Sequence, residues 1–157
     1  MATLPARRSA CTWILSTVAV LLTATIALVI VSLVVTWRRI PEGYAAWTTG
    51  SLMVEYLQTH TNSWPRSWND LRAATNSLGE KGKPVYMPLD HLPELVAIDW
   101  KVDPAGLIQA LHTNADMKIR AVTRRDGSRL RAFWGGNAEP NAMIQEQLKT
   151  HGPDPAP

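Results

Sequence analysis

The chain has 157 residues, 46% of them apolar, with a formal charge of +3 and a single cysteine, Cys11. No Asp, Glu, Lys, Arg, His, Gly or Pro occurs from Ser9 to Trp37, and all 13 acids lie at or after Glu42. That segregation excludes an ordinary soluble enzyme and a multi-pass transporter, the lone cysteine excludes a disulfide framework or cysteine-rich zinc site, and a single-pass membrane protein with one small polar domain remains.

Residues 1–12 read as a short basic tail and residues 13–37 as a transmembrane helix. At 1.5 Å per residue, Trp13 and Trp37 stand roughly 36 Å apart along a helix. That exceeds a ~30 Å hydrocarbon core and falls short of a ~40–45 Å full bilayer. Both indoles can therefore rest at headgroup level, with Arg38 and Arg39 just beyond as a basic flank, giving four membrane-interface residues. A cleaved signal would have a shorter apolar core and a small-residue cleavage site. This run ends in Val-Val-Thr-Trp-Arg-Arg, so a retained anchor in the lipid bilayer is expected. Arg7 and Arg8 balance Arg38 and Arg39, and the α-amino group tips the orientation to a cytoplasmic N-terminus with the C-terminal domain extracytoplasmic. Ala19, Thr23 and Ala27 recur every four residues, a small-residue stripe that either joins two helices or reflects ordinary span composition.

An α+β domain is expected over residues 38–151. Pro41 is placed to open a second helix reaching His60, with Tyr44, Trp47, Val54 and Leu57 on one stripe. Tyr44 and Trp47 follow the span so closely that they are candidates to touch the membrane instead of the core. Trp64-Pro65 marks a corner, and Ser67 with Asp70 has the form of a capping box for a short helix over residues 68–76, with Gly79 just beyond. Leu95 to Val102 alternates as a strand, with Val96, Ile98, Trp100 and Val102 on one face. Asp103-Pro104 caps a brief helical turn through Leu111, and a further strand follows from about Met117. Pro140 opens a last helix to Lys149 that buries Met143, Ile144 and Leu148. Residues 152–157 read as a disordered proline-rich tail.

Asp126-Gly127 is a hairpin signal. A two-residue turn there pairs Arg125 with Ser128. Thr123, Ala121 and Ile119 then face Leu130, Ala132 and Trp134. On the other side Arg124 faces Arg129, Val122 faces Arg131 and Arg120 faces Phe133. Opposed arginines disfavour pairing unless acids or an anion compensate them. Two outcomes follow. Asp99 on the neighbouring strand and Glu side chains nearby neutralise the cluster, or Arg120, Arg124, Arg129 and Arg131 hold a phosphate, sulfate or carboxylate.

No catalytic constellation accompanies this. His60, His91, His112 and His151 have no metal-ligand spacing, and no nucleophile elbow, phosphate loop or dinucleotide turn occurs. No metal, cofactor or catalytic residue is expected. The near balance of bases and acids after Trp37 argues against nucleic acid.

The run Tyr56-Leu57-Gln58-Thr59-His60-Thr61-Asn62-Ser63-Trp64-Pro65-Arg66-Ser67-Trp68-Asn69-Asp70-Leu71 resembles a segment of pseudopilins and related pilin-like proteins. There a membrane-rooted helix ends in an aromatic-proline corner, followed by a short capped helix and a small antiparallel sheet. The resemblance spans roughly residues 13–134 without a prepilin cleavage motif, and it implies a fold, not pilus assembly. The leading expectation is a non-enzymatic interaction domain on a single-pass anchor, with a protein partner or a second copy through the small-residue stripe. The alternative is a tethered sensory or ligand-binding domain that captures an anion on the basic hairpin.

Overall fold

The computed structural model describes residues 6–61, 63–114, 116–131 and 139–151. In chain order these form α1 (Ala6–Thr59), α2 (Asp70–Glu80), a 3-10 turn (Leu89–His91), α3 (Leu92–Leu95), β1 (Val96–Ile98), α4 (Pro104–Thr113), β2 (Val122–Arg124) and α5 (Pro140–His151). The architecture is α+β: a long apolar N-terminal helix, further helices and a two-stranded antiparallel sheet. Two compact units divide at Met1–Arg38 and Arg39–Pro157.

Two boundaries in α1 differ from expectation. Helix begins by Ala6, ahead of the expected start at Trp13, so Arg7 and Arg8 are helical. Pro41 lies inside the helix and does not open a new one. Proline removes one backbone donor and costs about 3 kcal/mol in a helix interior. The stripe that follows can offset this: Ala45, Ala46, Leu52, Met53 and Leu57 are all essentially inaccessible. Gly50 serves the same packing. A Cβ there would lie 2.8 Å from the Met143 sulfur and 3.0 Å from the Pro140 Cα, so the missing side chain admits α5.

The Trp64 corner is part of the core. Trp64 is buried, and its indole donates to the Asp99 carbonyl at 2.8 Å, while Trp68 packs edge-on against Trp100 at 5.3 Å. Asp70 supplies half of the expected capping box, its Oδ2 accepting from the Arg66 and Ser67 amides at 2.7 and 3.1 Å. It does so as the first residue of α2, which runs past Gly79 to Glu80. The stop is Gly82, at φ 67°, where Gly82 N–H donates to Gly79 and Lys83 N–H to Leu78. This pair of bonds is the Schellman arrangement, which favours glycine at the left-handed position. Ser77 and Lys81 at the end of α2 also hold Glu55, a buried carboxylate of α1, the hydroxyl at 2.7 Å and the ammonium as an ion pair.

The expected strand from Leu95 to Val102 shortens to Val96–Ile98, with Val96 and Ile98 buried and Trp100 and Val102 half-buried beyond it. Asp103 caps α4 as read, its carboxylate accepting from the Ala105 and Gly106 amides. In α5, Ile144 and Leu148 are buried and Met143 half-buried. The proline-rich tail at 152–157 lies outside the described residues.

Candidate functional site

β2 pairs antiparallel with β1 in the register Val96↔Arg124, Ala97↔Thr123 and Ile98↔Val122. Asp99 N–H donates to the Ala121 carbonyl and Arg125 N–H to Leu95, so the amide groups of Val122 and Arg124 face away from β1. Arg124 N–H meets Ser128 O at 3.0 Å across the hairpin. The outward N–H and C=O of Val122 meet no strand among the described residues. The Asn141 side chain accepts from Val122 N–H and donates to Val122 C=O, both at 2.8 Å. A primary amide, offering one donor and one acceptor in a plane, thus takes the place of a strand residue and closes the sheet edge.

The turn corrects the expected register. Gly127 N–H donates to Arg124 O at 2.8 Å and Gly127 sits at φ 77°, while Asp126 keeps a negative φ. A two-residue type I′ turn needs positive φ at both positions. The loop is therefore Arg125-Asp126-Gly127, and Arg124 stands opposite Ser128, not Arg129. Asp126 Oδ1 accepts from Ser128 N–H at 2.9 Å, and Ser128 holds this carboxyl below the usual aspartate range. The expected partners Ala132, Phe133 and Trp134 lie outside the described residues.

The four arginines consequently fall into two pairs, Arg124 and Arg131 at Glu42 and Arg120 and Arg129 at a groove. The Arg124 guanidinium reaches Glu42 at 3.3 Å and Asp126 at 3.5 Å. Arg131 uses its backbone, N–H donating to the other Glu42 oxygen at 2.8 Å. Arg120 donates to the Gly127 carbonyl. Arg129 lines an open groove of about 590 Å³ with Arg120 and Lys118, facing Glu139 and Glu146 of the α5 segment, with Ile119, Val122 and Leu130 as apolar lining. Asp99 is not the compensating acid: its carboxylate accepts from Lys101 N–H instead.

Two residues that sequence reading missed organise the site. Glu42 shares the helical phase of Ala45, Ala46, Thr49, Leu52 and Met53, so an acid on the buried stripe was the available signal. Asn141 gave no signal, because its partner is backbone. Among the described residues no group of three His, Cys, Asp or Glu side chains is placed to hold a metal ion.

In the span, Trp13 and Trp37 are 74% and 77% exposed, and Arg38 and Arg39 are exposed on the same helix. The Thr17, Thr23 and Thr25 hydroxyls each donate to the carbonyl four residues back, at 2.8–2.9 Å. Thr23 therefore bonds to Ala19 within its own helix, leaving the Ala19–Thr23–Ala27 stripe with its hydroxyl already satisfied. Over the described residues, this is the one helix long and apolar enough to cross a membrane. Comparison with protein-family models, with curated proteins and with solved structures gives no match.

Proposed function

We propose that residues 13–37 anchor the chain in a bilayer in a single pass, N-terminus cytoplasmic, and that residues 38–151 present a non-enzymatic, pilin-like interaction domain outside the cytoplasm. The observation that carries the anchor is the surface of residues 13–37. Its large apolar side chains are exposed all round, and the Thr17, Thr23 and Thr25 hydroxyls in its apolar middle are satisfied within the helix, as hydrocarbon requires. The pilin-like reading is supported by chain order: apolar segment and core stripe in one helix, then the Trp64-Pro65 corner, a short helix and a small antiparallel sheet. Protease added to intact cells should remove the part beyond Ile40. Protection of that part, with a tag before Arg7 open to protease, reverses the orientation. A pull-down after mild detergent extraction should recover a protein partner or a second copy, and recovery of the chain alone counts against an interaction domain.

The groove favours a second reading, capture of a small anion by Lys118, Arg120 and Arg129. Phosphate should then raise the melting temperature beyond an ionic-strength-matched chloride control, by linkage. That gain should vanish in a Lys118→Ser, Arg129→Ser double substitution. With Arg124 neutralised and Glu139 and Glu146 on the facing wall, the interaction domain is the better supported of the two.

A further inference from the structure

Outside residues 13–37, the one large hydrophobic side chain that is exposed among the described residues is Tyr86. It lies in the segment between α2 and the 3-10 turn. Val85 and Met87 pack inward against the core, while Pro84, Tyr86 and Pro88 face outward. The Tyr86 ring is not isolated. It stacks on Tyr44 at 5.6 Å and 16°, and meets Trp47 at 4.7 Å and 35°. None of the three belongs to the main apolar core or to the side chains packed against it. They form an aromatic cluster, half-buried at Tyr44 and Trp47 and open at Tyr86.

Position in the chain argues for what covers it. Tyr44 and Trp47 follow Arg39 by five and eight residues in α1, roughly 7 and 12 Å of helix. Such amphipathic rings, apolar in body and polar at one tip, are the side chains that settle at a membrane–water interface. The charge is also suitable. Lys83 is exposed three residues before Tyr86, Arg39 is exposed in α1, and Lys81 stands nearby with its charge directed to Glu55. The exposed acids on either side are Glu80, at the end of α2, and Asp90, which pairs with Arg72. Long basic side chains reach headgroups while their stems lie along apolar surface, and each adds to attraction for an anionic leaflet.

We propose that Tyr44, Trp47 and Tyr86, with Lys83, form a second membrane contact seated in the headgroup layer of an anionic bilayer. The proposal rests on the reading of residues 13–37 as the anchor. It adds to the anchor a surface contact made by the domain itself, through the segment between α2 and α3.

The test uses the full chain with Cys11→Ser, a single new cysteine carrying an environment-sensitive fluorophore, and vesicles of phosphatidylcholine with phosphatidylglycerol. Pro84→Cys reports the contact while keeping Lys83 and Tyr86. Thr113→Cys, at the exposed end of α4, is the reference, and Val20→Cys reports the span. Headgroup-nitroxide lipid should quench the label at position 84 strongly and the label at 113 weakly. Adding Tyr86→Ser or Lys83→Ser should reduce quenching at 84, as should omitting phosphatidylglycerol. Acyl-chain nitroxide should quench position 20. Quenching at 20 with equal, weak quenching at 84 and 113 overturns the contact and leaves the anchor standing. No quenching at 20 removes both. Shielding at 84 that grows with protein density but ignores the nitroxide lipid assigns the cluster to a second copy and overturns the proposal.

Discussion

Along residues 13–37 of α1, Ile26, Val31 and Leu33 are 50%, 59% and 64% exposed, whereas along residues 42–57 of the same helix Glu42, Thr48, Thr49 and Glu55 are buried beside Leu52 and Met53. One segment puts apolar groups outside and returns the hydroxyls of Ser16, Thr17, Thr23 and Thr25 to its own carbonyls. The other puts polar groups inside and pairs its two carboxylates with distant residues, Arg124 and Arg131 for Glu42, Ser77 and Lys81 for one oxygen of Glu55. The second Glu55 oxygen and the Thr48 and Thr49 hydroxyls have no hydrogen-bond partner among the described residues. The α-helix is indifferent to this inversion because its backbone bonds are internal in both settings. What differs is the solvent each face is suited to meet: hydrocarbon for the first, a packed protein interior for the second.

Substitutions at equivalent apolar residues sharpen that contrast. Leu52→Ala should destabilise the domain by ~2–5 kcal/mol, as large-to-small changes in a core do. Ile26→Ala should leave its unfolding midpoint in detergent unchanged. Equal effects at the two positions break the comparison. Asn141→Ala should come next, at about 1–3 kcal/mol, because it orphans both outward groups of Val122. Denaturant titration followed by near-ultraviolet circular dichroism reads each of these.

Gly50→Ala tests whether the second segment depends on close approach. Alanine alone should favour the helix by up to ~1 kcal/mol. The Met143 sulfur can move away, but the Pro140 backbone 3.0 Å from the new methyl cannot readily do so. A net loss of about 1 kcal/mol is expected, overpacking outweighing propensity. A gain in stability would mean that α5 yields. The smallest effects belong to the hairpin. Arg124→Thr should cost up to ~1 kcal/mol through its half-exposed pairing with Glu42. Asp99→Asn should stay within about 0.5 kcal/mol, since that carboxylate is exposed and serves only the Lys101 amide.

How legible each feature was depends on how local its cause is. The cap at Asp103, the alternation through Val96 and Ile98 and the start of α5 at Pro140 are set by neighbours in sequence, and all were readable. Pro41 was misread because a local helix breaker was outweighed by packing along the following stripe. The hairpin register slipped by one because Asp-Gly suits both a two-residue turn and a three-residue loop. The Asx bond from Ser128 to Asp126 selects the second. Glu42 binds an amide 89 residues away, and Asn141 pairs with backbone 19 residues away. Neither separation leaves a periodic trace, so the reading could name Asp99, which does not compensate the cluster, but not which nearby glutamate does.

The central claim is that residues 13–37 remain in the chain as its bilayer anchor. Intact-mass analysis of protein recovered from alkaline-carbonate-washed membranes tests it most directly. The account predicts a species in the membrane pellet whose mass includes the entire apolar segment, residues 13–37. A shorter form beginning after Trp37, released into the carbonate supernatant, would contradict it.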